Sequence, residues 1–254
     1  MALPLPTGLV PTEVAFLCEM EMVTIVPRQR LESITLLSGK TPALRPPHRA
    51  ELPLWLALLL KKQRRANIVP PPWLLPASLQ DLVNQETNID PEAFSPPPPP
   101  PMRSDGYGAA HSYTQHSTNP ADVVLAPPFL PSCTQGAPSG YLPYHWLEMA
   151  ETLLAHAADD IPGAADARAL LRDLQEVRAA KMRGSTRHLE GGGGVLNLRG
   201  VGAMELAESR GFVLGIVDGV RKLGASVEAS RREEEEEERE GGGGGGDSDD
   251  EMEF

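Results

Sequence analysis

The sequence has few aromatic residues, only two cysteines and no long hydrophobic run. The two cysteines, Cys18 and Cys133, do not indicate a disulfide framework, which favours a reducing compartment. The longest apolar stretch, Leu52 to Leu60, is far shorter than the roughly 20 residues that a membrane-spanning helix needs. The first positive charge is Arg28, so the charged start of a signal peptide is missing. We therefore expect a soluble intracellular protein.

Patterns typical of catalytic and metal-binding sites are also missing. The six histidines lack metal-ligand spacing, and neither cysteine has a base beside it in the sequence. The run from Gly39 to Thr41 matches the end of a phosphate-binding loop, but Ile34 stands where its first glycine belongs and Pro42 follows it. We expect a protein that is not an enzyme and that holds no metal or cofactor. Nucleotide turnover that vanished on changing Lys40 would revive the enzymatic alternative.

The charge is distributed unevenly along the chain. The formal net charge is −12, and the last 22 residues, Glu233 to Phe254, account for −11 of it with 12 acidic residues and one arginine. From Arg28 to Arg65, nine Lys and Arg residues face only two Glu residues. The body of the protein therefore carries a basic sector, residues 28–65, and the acidity is concentrated in the C-terminal segment.

Composition divides the chain into five segments and predicts an α+β fold that is mainly α. Proline and glycine are abundant, with 26 and 24 residues, and 12 of the prolines fall between 88 and 140. Consecutive prolines favour polyproline II and cannot build a core, so this part is predicted to be a disordered linker, or alternatively a ligand for an SH3-like or WW-like groove. The segments are a small β-rich module (1–52), a helical segment leading into the helical module (53–87), the Pro-rich linker (88–140), a helical module (141–230) and a disordered acidic tail (231–254).

Local patterns predict the elements of the first half. Alternating apolar residues indicate strands, and Pro53 favours a helix that begins directly after it. Pro70 keeps the residues before it extended. The predicted elements are a helix from Pro11 to Met20 capped by Thr12, strands from Met22 to Val26 and Leu31 to Leu37, a helix from Leu54 to Arg65, an extended segment from Asn67 to Val69, and a capped helix from Ser78 to Glu86.

The second half has helical periodicity. One apolar stripe, at positions 146, 147, 150, 153, 154 and 157, predicts a helix that the Asp159 to Pro162 segment ends. Further helices are predicted to end near Arg183 and to run from Val201 to Ala229. Gly211, Gly215 and Gly219 recur every four residues, which indicates either close approach of another helix or merely a weak helix. Two incomplete modules with apolar stripes favour a permanent subunit of a complex.

Short motifs follow one another in a specific order along the chain. In the N-terminal half they are Val14-Ala15-Phe16-Leu17, Val23-Thr24-Ile25-Val26-Pro27, Leu52-Pro53-Leu54-Trp55-Leu56-Ala57 and Pro70-Pro71-Pro72-Trp73-Leu74. In the C-terminal half they are the segment Leu153 to Pro162, Arg168 and Asp173, Arg178-Ala179-Ala180-Lys181-Met182-Arg183 and Met204-Glu205-Leu206. Taken in order, these residues resemble the Psf-two type of subunit in the GINS complex, over roughly 11–87 and 141–225. The long linker and the acidic tail depart from the family pattern.

The resemblance implies a non-catalytic scaffold in DNA replication. GINS is a nuclear heterotetramer of this subunit with Sld-five, Psf-one and Psf-three types, and each subunit combines a helical module with a small β-rich one. The complex joins the Cdc-forty-five protein and the MCM hexamer as the replicative helicase of eukaryotes, at origins and at replication forks, and helps to tether the leading-strand polymerase. The resemblance further implies that the subunit contacts DNA only indirectly and has no role at a membrane.

Two groups of residues are predicted to carry this role. Four cations lie on the predicted helix that ends near Arg183: Arg168, Arg178, Lys181 and Arg183. At about 100° of rotation per residue they do not share one face of the helix. Some are therefore expected to pair within the complex while others face outward. The predicted subunit interface comprises Trp146, Leu153, Leu154, Arg168, Asp173, Arg178, Lys181, Arg183 and Leu206. The predicted helicase-ring contact comprises Lys61, Lys62, Arg64 and Arg65. The alternative is a DNA-binding accessory subunit that uses the basic sector.

Overall fold

The computed structural model describes residues 8–37, 39–98, 103–104, 110–111, 132–185 and 198–241. The chain divides into two compact units: the first comprises Met1–Ser185 and Asn197–Arg210, and the second Thr186–Leu196 and Gly211–Phe254. The α+β, mainly α fold class is confirmed, with a small N-terminal β module and a helical module.

A three-stranded antiparallel sheet forms the β module of the first unit. Strand β1 (Met22–Pro27) lies at its centre, between β4 (Ala50–Pro53) and β5 (Ala66–Val69), with Thr24 opposite both Glu51 and Val69. Val23 and Ile25 of β1 are fully buried, because both side chains belong to the hydrophobic core. The strands are β1 (Met22–Pro27), β2 (Thr35–Leu36), β3 (Gly39–Lys40), β4 (Ala50–Pro53), β5 (Ala66–Val69), β6 (Arg103–Ser104) and β7 (Ala110–His111).

Helices make up most of the remaining structure. The 3-10 turn Ala158–Asp160 separates α4 (Trp146–His156) from α5 (Ala164–Ser185), which confirms the break predicted at Asp159 to Pro162. Gly163, with φ +67°, is the last residue before α5, and a Cβ there would lie 2.9 Å from Pro76 Cγ. The helices are α1 (Pro11–Cys18), α2 (Leu54–Lys62), α3 (Pro76–Asn84, continued by the π-helical turn Gln85–Ile89), α4 (Trp146–His156), α5 (Ala164–Ser185) and α6 (Ala203–Gly241).

One hydrophobic core links the β module to the helices of the first unit. Trp73 and Trp146 are both fully buried in it, together with residues of β1, α2, α3, α4 and α5. Trp73 Nε1 donates a hydrogen bond to the Ser132 carbonyl oxygen at 3.1 Å, which holds the segment after residue 131 against the core. The sheet and the helices therefore stabilise each other by burying shared apolar surface.

Several predicted boundaries in the first half were wrong. The strand predicted from Leu31 to Leu37 is only the short β2, which pairs with β3 outside the main sheet, and β4 is the neighbour of β1 that the pattern missed. Helix α1 has Val10 rather than Thr12 at its N-cap, and the Glu13 carboxylate accepts the Val10 N–H at 2.9 Å. Helix α3 begins at Pro76 without a side-chain cap, because proline at the first position needs no hydrogen-bonded N–H.

The structure also departs from the predicted bounds of the linker, 88–140, and of the tail, 231–254. Both ends of the predicted linker pack on the first unit, since Ser95, Cys133 and Thr134 are buried, while most of its middle lies outside the described residues. Helix α6 continues to Gly241 instead of ending near Ala229. Residues 231–241 are thus helical, because the Glu run retains high helix propensity, and residues 242–254 lie outside the described part of the chain.

Candidate functional site

A buried ion network surrounds Arg178 of α5. Its Nη1 donates to Glu86 Oε1 at 2.5 Å, and its Nε donates to Glu205 Oε1 at 2.6 Å. Its Nη2 donates to Glu205 Oε2 at 2.9 Å and to the Gly200 carbonyl oxygen at 2.6 Å. The guanidinium also lies 5.6 Å from the Trp146 ring centroid. Arg178 therefore joins the end of α3, the start of α6 and α4 at one point.

Lys181, one turn further along α5, extends the network. Its Nζ lies 3.3 Å from Glu86 Oε2 and donates to the carbonyl oxygens of Asp90 and Ala93 at 3.1 and 2.6 Å. The Ser95 N–H donates to Glu86 Oε1 at 3.0 Å. These bonds fasten the segment after α3, predicted to be disordered linker, against α5.

Burial and ion pairing shift the pKa values of Arg178 and Lys181 in opposite directions. Burial alone lowers the pKa of Arg178, but its hydrogen bonds and charge interactions with Glu205 and Glu86 outweigh that effect and raise the pKa above its ordinary value. For Lys181 burial dominates, so the pKa falls despite the nearby Glu86 carboxylate. Arg178 thus stays charged in the interior.

The other residues predicted for the subunit interface lie in different places. Trp146, Leu153 and Leu154 are buried in the core of this chain, so their assignment to a subunit interface is corrected: the same chain covers the α4 stripe. Arg168 is exposed and donates to the Leu154 carbonyl oxygen at 2.6 Å, Asp173 and Arg183 are exposed on α5, and Leu206 is half-buried on α6.

The partners of Arg178 were missed at the sequence level. In the sequence, Glu205 was noted only as part of the Met204-Glu205-Leu206 motif at the start of the last helix. Glu86 was noted only as the end of a predicted helix. The available signal was an arginine among the apolar positions of α5, since a buried cation requires carboxylates. Which carboxylates meet it depends on tertiary structure, because Glu86 is 92 residues away.

The predicted helicase-ring contact is only partly available at the surface. Lys61 Nζ lies 2.6 Å from Asp159 Oδ2 and 2.8 Å from Asp160 Oδ2, so this cation is engaged within the chain. Lys62, Arg64 and Arg65 are exposed. A depression of about 400 Å³ lies beside them, lined by Arg28, Lys61, Lys62, Arg64, Ala66 and Asp159.

A cluster of ionisable groups is buried between α1 and α4. His145 Nδ1 lies 2.5 Å from Glu148 Oε1, and Glu21 is buried nearby. Burial raises the pKa of Glu21 to about 7, although the charge of His145 lowers it. Burial likewise raises the pKa of the Cys18 and Cys133 thiols, so both are unreactive as nucleophiles.

An apolar groove opens beside this cluster. It has a volume of about 450 Å³ and is formed by α1, by the residues just before α4 and by the first turns of α6. Leu17, Met20 and Tyr144 are exposed at 42%, 48% and 43%. The complete lining is Leu9, Val14, Leu17, Met20, Tyr144, His145, Ala203, Leu206, Ala207 and Arg210.

The second unit presents an apolar helical surface. Leu223 and Val227 of α6 are exposed at 70% and 69%. Within the described residues, nothing lies within 4 Å of a Cβ built at Gly211, Gly215 or Gly219. The close helix packing proposed for these glycines is therefore not supplied by the described part of this chain.

Neither a metal-binding cluster nor a membrane-spanning helix is found among the residues that the structure describes. Among those residues, no group of three or more His, Cys, Asp or Glu side chains is arranged to hold a metal ion. Every helix there is too short or too polar to cross a membrane.

Comparison with known proteins finds similarity along almost the whole chain. A family model described as the PSF2 N-terminal domain matches residues 10–69, and one described as the GINS complex protein helical bundle domain matches residues 73–224. The chain is 70% identical to the DNA replication complex GINS protein PSF2 of Gibberella zeae, over 91% of each chain. It is 65% identical to the Neurospora crassa protein of that name, over 91% of this chain and 90% of the relative. For the Schizosaccharomyces pombe protein the identity is 32%, over 88% and 96%.

Proposed function

The chain belongs to the PSF2 family of GINS complex proteins, and on this basis we propose that it is a non-catalytic scaffold subunit of a GINS heterotetramer. The relatives that match it over nine-tenths of their length are named as DNA replication complex proteins, which supports a role in replication. The proposed partners are subunits of the Sld-five, Psf-one and Psf-three types. The proposed location is the nucleus, where the complex works at origins and replication forks.

An apolar seam along α6, half-buried in its first part and exposed at Leu223 and Val227, is the observation that best supports scaffolding. Apolar residues recur there at alternating spacings of three and four, the pattern by which helices pack side by side. Exposure of Leu223 and Val227 to water is unfavourable in an isolated chain and favours a partner helix. The residues of the seam are Val213, Ile216, Val220, Leu223 and Val227.

Co-expression with the three sister subunits tests the proposal. We expect a single equimolar species in size-exclusion chromatography with light scattering, and an aggregated product when this chain is made alone. A well-behaved monomer that ignores the sisters would overturn the proposal.

A paired substitution on α6 tests whether the seam makes the contact. Leu223→Glu places a charge in the seam and is expected to weaken assembly. Ala225→Glu introduces the same charge about 200° around the helix, where residue 225 is also exposed, and should assemble normally. Equal effects of the two variants would contradict the seam.

We further propose that the assembled complex joins the Cdc-forty-five protein and the MCM hexamer as a replicative helicase and helps to tether the leading-strand polymerase. The exposed cations Lys62, Arg64 and Arg65 support contact with an acidic surface of the ring. Changing these three to Glu should reduce recovery of the MCM ring in a pull-down while the tetramer stays intact. The matched control changes three other exposed arginines of the basic sector, Arg30, Arg45 and Arg49, to Glu.

Direct DNA binding through the basic sector is the competing proposal. The same exposed cations favour it, and it predicts salt-dependent binding of the tail-deleted chain to duplex DNA. Loss of DNA binding together with unchanged recovery of the ring in the Lys62, Arg64 and Arg65 variant would favour this alternative.

A further inference from the structure

The apolar groove beside α1 has the properties of a docking site. Its volume of about 450 Å³ falls within the roughly 300–1,000 Å³ typical of binding pockets. Three of its lining side chains, Leu9, Leu17 and Met20, are about half exposed, and Phe16 beside them on α1 is 68% exposed. Clustered apolar side chains of this kind mark interaction surfaces on soluble proteins.

The walls of the groove are held rigidly by the core beneath them. On the α6 side, Glu205 accepts hydrogen bonds from Arg178 and from the Gly202 N–H, at 2.7 Å for the latter, which fixes the turn that carries Leu206. On the α1 side, Val14 and Cys18 are buried. The groove is therefore preformed, so a segment that enters it loses little affinity to rearrangement of its walls.

Arg210 gives the groove a charge. Within the described residues it makes no ion pair, and its guanidinium lies against the backbone of Gly8. A Cβ at Gly8 would overlap that guanidinium, so glycine is required there for Arg210 to take this position. The lining contains no carboxylate, and its polar side chains are Tyr144, His145 and Arg210. His145 is paired with Glu148 within the chain, so Arg210 is the lining cation without an acid of its own among the described residues.

We propose that this groove receives a segment of a sister subunit that supplies apolar side chains and one carboxylate for Arg210. The inference rests on the proposed scaffold function and names a second contact, in the first unit of the chain. A second copy of this chain is a poorer occupant. A two-fold contact brings identical patches together, and two such grooves would oppose Arg210 to Arg210 without an acid.

Site-specific photo-crosslinking in the assembled tetramer tests this contact. A benzophenone amino acid replaces Leu17 in the groove, and the matched control places it at Gln29, an exposed position that does not line the groove. We expect position 17 alone to crosslink, to one sister subunit, at a segment where apolar residues flank Asp or Glu. A tetramer that forms without this crosslink, or a crosslink to a second copy of the chain, overturns the groove contact and leaves the scaffold proposal standing. Failure of the unsubstituted chains to assemble overturns both.

A charge reversal tests the role of Arg210 separately. Arg210→Glu should weaken the tetramer by roughly tenfold in dissociation constant, and Arg210→Lys much less. Changing the crosslinked acid of the sister subunit to Lys should restore assembly with the Arg210→Glu chain. Absence of this rescue, with both chains folded by circular dichroism, would overturn the charge pairing.

Discussion

Arg178 of α5 and Glu205 of α6 form a two-point ion pair, with Nε 2.6 Å from Oε1 and Nη2 2.9 Å from Oε2. The same arginine contacts Glu86, so one buried cation holds two carboxylates from distant parts of the chain. Such a network specifies how the helices meet, because each member is costly to leave unpaired in the interior.

Arg178→Met is expected to destabilise the protein strongly. The change leaves Glu86 and Glu205 as buried charges without their main partner, at a cost of about 3–5 kcal/mol in the free energy of unfolding. Urea denaturation of the full chain, or of the tetramer, measures it. Arg172→Met is the matched control, since Arg172 is exposed on the same helix and its loss should change the free energy of unfolding by less than about 0.5 kcal/mol. Similar losses in both variants would contradict the central role of Arg178.

Stability should fall as the pH rises through the titration of Glu21. Burial raises the pKa of this carboxyl from 4.5 to about 7, so between these values the folded state binds more protons than the unfolded state. His145 and Glu148 face the same carboxyl, the first lowering and the second raising its pKa. The free energy of unfolding should drop by on the order of 2–3 kcal/mol from pH 4.5 to 8, relative to Glu21→Gln.

Unfolding curves across this pH range provide the check. Glu19→Gln serves as the control, because Glu19 is exposed on the same turn and should keep the pH dependence of the native chain. A native chain whose free energy of unfolding, relative to that of Glu21→Gln, rises from pH 4.5 to 8 shows the opposite sign and would refute the assignment.

Leu153→Ala and Leu223→Ala should have opposite effects: the first should reduce folding stability, and the second should weaken assembly. Leu153 is buried, so its truncation should cost about 2–5 kcal/mol of folding stability without a specific defect in subunit recognition. Leu223 is exposed, so its truncation should change the stability of the free chain by less than about 0.5 kcal/mol and weaken assembly instead. Unfolding curves and tetramer dissociation constants, measured on both variants, test the contrast.

Lys61 and Lys62 should behave differently although they are neighbours. Lys61 bridges Asp159 and Asp160, and Asp160 also accepts the Ile68 N–H at 2.7 Å, which ties α2 and β5 to the turn after α4. Lys61→Met is therefore expected to cost about 1 kcal/mol of stability, and Lys62→Met nothing measurable. A thermal shift that is equal for the two variants would argue against the bridge.

Much of the fold was predictable because its signals are local. The periodicity of α4 and α5, the break after Asp159 and the strands β1 and β5 all follow from spacing and from proline. The short β4 was missed because Ala50–Pro53 offers too few residues for a pattern. The linker ends were missed because Pro-rich sequence carries no periodicity. Contacts from distant elements hold those segments in place, among them the hydrogen bonds that Trp73 and Lys181 donate.

The candidate site was predictable as a set of residues but not as an arrangement. Trp146, Leu153 and Leu154 were correctly identified as an apolar stripe, yet a stripe has the same period whether its own chain or a partner covers it. The sequence alone determined the helical periods, the nearly neutral body with its acidic end, and the ordered motifs that indicate the family. The tertiary structure decided that the α4 stripe is internal, that Lys61 and Arg178 are engaged within the chain, and that Leu223 and the groove at Leu17 remain exposed. The reason is physical: periodicity arises between residues three or four apart, whereas burial and charge pairing depend on which faces meet across many tens of residues.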